Sequence, residues 1–188
     1  MSDFEKNKKL VFKGVLFDVY QWQQEQFDGT KKTFEKLKRK NSVNIIPVLD
    51  DGKILLIDEE QPERGDFITV PGGQINDGEK PKDAARRELR EETGYTCKSL
   101  ELWLTVQPYG NKIDWTVYNY IARGCANAGD QNLDSGEKIT LKPVTVDEFF
   151  NIAMHDPKFR NTEITLEILR ASQKPRKFDE IRKLFKVA

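Results

Sequence analysis

VPGGQINDGEKPKDAARRELREETGYT, residues Val70 to Thr96, is the stretch on which the reading of this chain turns. The apolar run Phe67–Val70 leading into it predicts a strand. Gly72 and Gly73 then predict a loop, and Asn76-Asp77-Gly78 a turn, because these residues tolerate left-handed backbone angles. Pro81 suits a first helical position, where its missing N–H is an orphan donor in any case. Ala84 to Glu92 are strong helix formers, and Gly94 is the expected stop. The order is strand, glycine loop, helix, stop.

Within that helix Glu88, Glu91 and Glu92 stand at i, i+3 and i+4. At about 3.6 residues per turn their carboxylates share one face. Like charges so spaced destabilise a helix by roughly 0.2–0.5 kcal/mol per pair. A hard divalent cation reverses that penalty, since Mg²⁺ and Mn²⁺ favour carboxylate oxygens. A solvated helix laced with ion pairs, Arg87 reaching Asp83 and Glu91, accounts for the same pattern without a metal. Both readings stand on spacing alone.

The spacing counted from Gly73 resembles the Nudix box: Gly73, Glu79, then Arg87-Glu88-Leu89, Glu91-Glu92, Gly94 and a closing apolar position held by Tyr95. The box thus spans residues 73–95. The resemblance implies hydrolysis of a nucleoside diphosphate linked to another moiety, assisted by Mg²⁺ or Mn²⁺. It also implies an α+β fold, an α/β/α sandwich with a mixed β-sheet beside the box helix.

The chain has 188 residues, enough for a sizeable core, and a formal net charge of +0, so no global field favours nucleic acid or membrane. No apolar run approaches the ~20 residues of a membrane span. Two cysteines, Cys97 and Cys125, make no disulfide framework and fit a reduced, cytoplasmic setting. The single histidine, His155, excludes multi-histidine metal sites and reads as a surface residue near a helix C-terminus.

Before the box, Phe12–Phe27 holds scattered β-formers and is followed by Asp28-Gly29, a hairpin signal. The basic run Lys31 to Lys40 reads as a solvated edge that resists aggregation. Asn44–Leu49 and Lys53–Ile57 predict a second hairpin about Asp50-Asp51-Gly52, and Asp58–Asp66 a charged loop. After the box, Ser99–Val106 and Asp114–Ala122 predict strands, and Arg123–Lys138 a long glycine-bearing loop. Ile139–Leu141 predicts a short strand; Val146–Met154, Asn161–Ser172 and Phe178–Phe185 predict helices.

Outside the box, Phe12-Lys13-Gly14, Asp28-Gly29, Thr33-Phe34-Glu35 and Ser42-Val43 resemble the N-terminal extension of ADP-ribose pyrophosphatases. In that branch the extension is antiparallel β-structure exchanged between two subunits. The resemblance therefore implies a β extension over 1–41 for dimerisation and substrate contact, a Nudix domain over 42–188, and a homodimer. Phe34, with Glu35 beside it, takes the aromatic position that holds adenine. Where relatives carry a phosphate-binding arginine this chain has Asp58-Glu59-Glu60-Gln61, which leaves Arg64 as the candidate.

The expected chemistry is attack of water on a pyrophosphate phosphorus. Glu88, Glu91 and Glu92 would hold the metal, with the Gly73 carbonyl as a further ligand, and Arg87 would orient the carboxylates. Glu79 reads equally as a residue favoured by the helix N-terminus. Asp134-Ser135-Gly136-Glu137 resembles the loop that presents a glutamate base, which makes Glu137 the candidate, with Asp134 or a box glutamate as alternatives. The substrate expected first is ADP-ribose, cleaved to AMP and ribose 5-phosphate. GDP-mannose, a dinucleoside polyphosphate, or a non-catalytic nucleotide-sugar sensor are the competing readings.

Overall fold

The computed structural model describes residues 7–62 and 65–186. Two compact units emerge: Ser42–Thr105 with Tyr118–Ala188, and Met1–Asn41 with Val106–Val117.

The larger unit is built on strands β4 (Ser42–Leu49), β5 (Ile54–Gln61), β6 (Gly65–Thr69), β7 (Gly72–Gln74), β8 (Tyr95–Val106), β10 (Val117–Asn127) and β11 (Lys138–Val144). Its central order is β11-β5-β4-β10-β8, with β6 paired to β5 and β7 to β4. β4 and the first half of β5 are apolar at nearly every position, as strands covered on both faces must be. On one face Ile46, Val48, Ile54, Leu56 and Ile121 pack against Phe149, Phe150, Ile164, Ile168 and Phe185. Those residues come from helices α2 (Val146–His155), α3 (Thr162–Ser172) and the end of α4 (Pro175–Leu184). On the other face Val43, Ile45, Tyr120 and Ala122 pack against Ala84, Ala85 and Leu89 of α1, Pro81–Thr93. The layers are helix, sheet, helix, as expected.

α1 starts at Pro81 and ends at Gly94, whose φ of 75° and N–H bond to the Arg90 carbonyl at 3.0 Å close the last turn. α2 opens on a capping box: Thr145 accepts from the Glu148 N–H, and Glu148 accepts from the Thr145 N–H.

The smaller unit is a four-stranded sheet of order β1-β2-β3-β9: β1 (Lys9–Lys13), β2 (Asp18–Glu25), β3 (Lys31–Lys38) and β9 (Ile113–Asp114). β2 and β3 form a regular antiparallel ladder in which Trp22 faces Phe34. Every residue of β1 is exposed, Phe12 at 60%.

Three loops or strands differ from expectation. Asp58–Gln61 belongs to β5, because pairing with β6 and β11 satisfies its backbone despite three consecutive acids. β10 runs on through Asn127, so the loop expected from Arg123 begins only at Ala128. β11 extends to Val144 along β5, well past the Ile139–Leu141 stretch that signalled it.

Candidate active site

The buried stripe of α1 comprises Ala84, Ala85, Glu88, Leu89, Glu92 and Thr93. Periodicity that buries Leu89 thus also carries two carboxylates inward, and β7 receives them. Gly72 N–H donates to Glu92 Oε2 at 2.7 Å. A Cβ on Gly73 would lie 2.4 Å from Glu88 Oε1, so only glycine leaves room for that carboxylate. Gly72 and Gly73 are held in place by pairing with Asn44 and Val43 of β4.

Arg87 organises the acids around it. Its Nε donates to Glu79 Oε1 at 2.9 Å, and its Nη1 donates to Glu88 Oε1 at 2.8 Å and Glu91 Oε2 at 3.0 Å. Nη2 reaches the Gln74 carbonyl at 2.9 Å, tying helix to glycine loop. Asp83, the other partner expected from four-residue spacing, is not among these acceptors. The Arg87 hydrogen bond holds the Glu79 carboxyl below its ordinary value.

Burial pushes the Glu92 carboxyl well up, against the Gly72 hydrogen bond, and the charges of Glu88, Glu137 and Glu59 push the same way. Burial also raises Glu88, opposed by Arg87 and reinforced by Glu91 and Glu137. Glu137 therefore acts on both box glutamates. It sits half-buried in a turn where its N–H donates to the Asp134 carbonyl at 3.0 Å and its Oε2 accepts from the Asp134 N–H at 3.2 Å. The turn opens on a cleft of about 390 Å³ lined by Glu60, Gln61, Gly65, Ser135, Glu137 and Lys138.

The first half of the preceding loop is stitched down. Ala128 and Asn132 N–H groups donate to the Gly94 and Glu91 carbonyls, both at 2.8 Å. Gln131 Nε2 donates to the Glu92 carbonyl at 2.6 Å, and Arg90 Nη1 to the Asp130 carbonyl at 2.8 Å. These ties hold residues 128–132 of the loop against α1 and its C-terminal cap.

Among the described residues, no three acidic, histidine or cysteine side chains converge into a ready-made cation cage. The donor set nonetheless fits a hard divalent cation. Carboxylate oxygens of Glu88, Glu91 and Glu92 and the Gly73 carbonyl are what Mg²⁺ and Mn²⁺ take. Burial raises both Glu88 and Glu92, and neighbouring carboxylates add to it, so a cation placed there would meet acids whose charge the protein alone disfavours.

Of the remaining expected residues, Phe34 and Glu35 lie in the smaller unit. Phe34 packs on Trp22 with centroids 5.9 Å apart and has Lys112 Nζ 5.8 Å from its ring. Glu35 accepts from Gln21 Nε2 at 2.9 Å. Arg64 lies outside the described residues.

Two features escaped the sequence reading. Glu59, buried on β5, adds its charge at Glu92; its neighbours Asp58 and Glu60 disguise it as one acid among three. Asn44 Nδ2 donates to Asn119 Oδ1 at 3.0 Å and to Glu163 Oε1 at 2.5 Å, while the Nδ2 of fully buried Asn119 has no partner. Asn44 touches the Gly72 turn, its Oδ1 being 3.0 Å from where a Gly72 Cβ would stand. An asparagine inside the apolar run of β4 was the available signal.

Residues 38–163 match the NUDIX domain model. The chain belongs to the NUDIX family. As a Nudix hydrolase it is 29% identical over 143 residues to the ADP-ribose pyrophosphatase of Bacillus subtilis (strain 168), covering 75% of this chain and 77% of that one. It is 26% identical over 140 residues to the methanol dehydrogenase activator of Bacillus methanolicus, covering 73% and 76%. Over a shorter stretch of 74 residues, 37% of this chain and 34% of the other, it is 39% identical to the ADP-sugar pyrophosphatase of Mus musculus. A crystal structure of an ADP compounds hydrolase shares the fold at TM-score 0.69 and 21% identity, over 92% of this chain and 94% of that one. The recognised family and the expected fold class are those observed, in the branch that includes ADP-ribose pyrophosphatases.

Proposed function

We propose that this Nudix hydrolase cleaves the pyrophosphate of a nucleoside diphosphate sugar, ADP-ribose first, to AMP and ribose 5-phosphate. The observation that carries the reading is the pair of buried carboxylates, Glu88 and Glu92, set against Gly72-Gly73 with the charge of Glu137 acting on both. The similarity to the Bacillus subtilis ADP-ribose pyrophosphatase and the Mus musculus ADP-sugar pyrophosphatase supports the substrate class.

Glu88, Glu91, Glu92 and the Gly73 carbonyl would hold Mg²⁺ or Mn²⁺. A divalent cation there neutralises charge that builds on the phosphoryl oxygens. Arg87 keeps Glu88 and Glu91 aimed and, through Gln74, keeps the glycine loop in register with the helix. Glu137, carried on the turn after Asp134, takes the proton of the attacking water. Oxygen from that water bonds to one phosphorus, the bridging P–O bond breaks, and the departing phosphate leaves with the sugar or the nucleoside.

The extension, residues 1–41, contributes the dimer contact, and Phe34, Glu35 and Arg64 contact the nucleotide. Exposed Leu10, Val11 and Phe12 on β1 support an apolar interface. The cytoplasmic setting read from two free thiols belongs to the same proposal. Among the described residues no helix is long and apolar enough to cross a membrane.

The test is a panel of ADP-ribose, ADP-glucose, GDP-mannose and a dinucleoside polyphosphate with Mg²⁺ or Mn²⁺, products identified by mass. Release of AMP and ribose 5-phosphate, abolished by chelation, is expected. Preference for GDP-mannose or the dinucleotide reassigns the substrate, and tight binding without product from any member makes the protein a sensor.

A further inference from the structure

Cys97 and Cys125 are free thiols that the hydrolytic site does not use. Gly94 C=O accepts from the Ala128 N–H at 2.8 Å, which places these two residues opposite each other where β8 and β10 begin to pair. Antiparallel pairing counted inward from there sets Cys97 opposite Cys125. Gly124 supports the register: a Cβ built on it would meet Lys98 Cγ at 3.0 Å and Cβ at 3.1 Å, so Lys98 and Gly124 are neighbours across the same strands. The positive φ of Gly124, 62°, marks a bulge that falls just beyond Cys125 and leaves the count from Ala128 intact.

The side chains share a face as well as a register. Cys125 belongs to the apolar cluster under α1, and Cys97 packs against that cluster. Hydrogen-bonded and open pairs alternate along an antiparallel ladder, so Cys97 and Cys125, an odd number of steps from Gly94 and Ala128, form an open pair. Opposed α-carbons in such a pair are about 4.5 Å apart, inside the roughly 4.4–6.8 Å that a disulfide spans. The Cys97 carbonyl, which an open pair turns away from its partner strand, accepts instead from Arg86 Nη1 at 3.2 Å. Cys97 is half-buried and Cys125 is 3% exposed, so an oxidant meets Cys97 first.

We infer that Cys97 and Cys125 form a site of reversible oxidation, closing to a cross-strand disulfide between β8 and β10 when the protein meets a hydroperoxide. The Cys97 sulfur attacks a peroxide oxygen, the O–O bond breaks, and one water leaves with the thiol's proton, making Cys97 a sulfenic acid. The Cys125 sulfur then attacks the Cys97 sulfur and loses its own proton. The S–O bond breaks, a second water leaves, and the S–S bond forms. Two thiols have given up two electrons, and hydrogen peroxide has been reduced to two waters. Burial holds the Cys97 thiol above its ordinary value, and Arg86 Nη1, 3.6 Å from Cys97 Sγ, opposes that by favouring the charged form that attacks first. Cys125, pushed up to about 12 chiefly by burial, attacks slowly. Closure is therefore a response to sustained oxidant and not a rapid sensor.

The test uses the full chain, reduced and then treated with hydrogen peroxide. Intact mass, thiol counting after denaturation and peptide mapping are read together with thermal melting. Loss of two hydrogens, loss of both countable thiols, one peptide joining Cys97 to Cys125, and a melting temperature raised by several degrees are expected, all reversed by dithiothreitol. C97S shows none of these. C125A, chosen because alanine suits a buried site, stops at oxygen addition on Cys97. Two thiols still countable after prolonged peroxide, oxygen addition without a cross-link in the wild type, or a link only between separate chains overturns the inference.

Discussion

The two units use β-structure in opposite ways. In the larger, β4 is covered on both faces, and Val43, Ile45 and Ile46 have no exposed surface. In the smaller, β1 is bare along its whole length, and Leu10, Val11 and Phe12 remain open. At about 25 cal/mol per Å² of apolar surface buried, the first arrangement stabilises itself, while the second leaves its apolar surface open. A site that must hold like charges together belongs in the first kind of unit. Glu88 and Glu92 can be buried because Ala85, Leu89, Val43 and Ile45 around them secure the helix independently of the acids.

The sharpest way to break this contrast is Glu92→Gln. Turnover is expected to vanish while the thermal melt holds or rises, since burial already disfavours the charged form. A surviving rate with an unchanged melt removes Glu92 from the chemistry. Next in size is Glu137→Gln, expected to lower turnover by about 10²–10⁴-fold with little change in metal affinity, as loss of a general base does. Asp134→Asn, run beside it, should retain the rate. The reverse outcome makes Asp134 the base, and two active variants point to a box glutamate.

For the exposed strand, Phe12→Glu is expected to turn a dimeric mass at micromolar concentration into a monomeric one, by light scattering, without lowering the melt of the larger unit. A wild-type monomer refutes the covered interface outright.

The smallest effect is expected at Glu163, where burial raises the carboxyl above its ordinary value against the Asn44 hydrogen bond. A raised acid favours the folded state below the unfolded value near ~4.3, and that contribution is lost as pH rises through the folded value. Glu163→Gln should remove this slope and leave stability near neutral pH equal or slightly higher, by thermal melts between pH 4 and pH 8. A slope identical to wild type shows that Glu163 titrates normally.

Much of the site was legible because its requirements are local. Pro81, Gly94 and the i, i+3, i+4 carboxylates speak within a single helix, and Gly73 must be small wherever Glu88 points. Strand signals failed where tertiary pairing supplied what composition withheld. Asp58-Glu59-Glu60 reads as a loop until β6 and β11 flank it. Nor does any local pattern show that Arg90 and Gln131 tie the first half of the long loop to α1. His155 lies in the last turn of α2, where local pattern placed it.

By itself, then, the sequence determined the helix, its stops, the acidic face and the family's box, since each rests on contacts between residues a few positions apart. Tertiary structure alone decided that Arg87 would also reach Glu79 and the Gln74 carbonyl, and that Glu59 would lend charge to Glu92. It alone brought Glu163 to Asn44 and Cys97 opposite Cys125. Those depend on which strands become neighbours, and burial of both sheet faces, not any short pattern, sets that order.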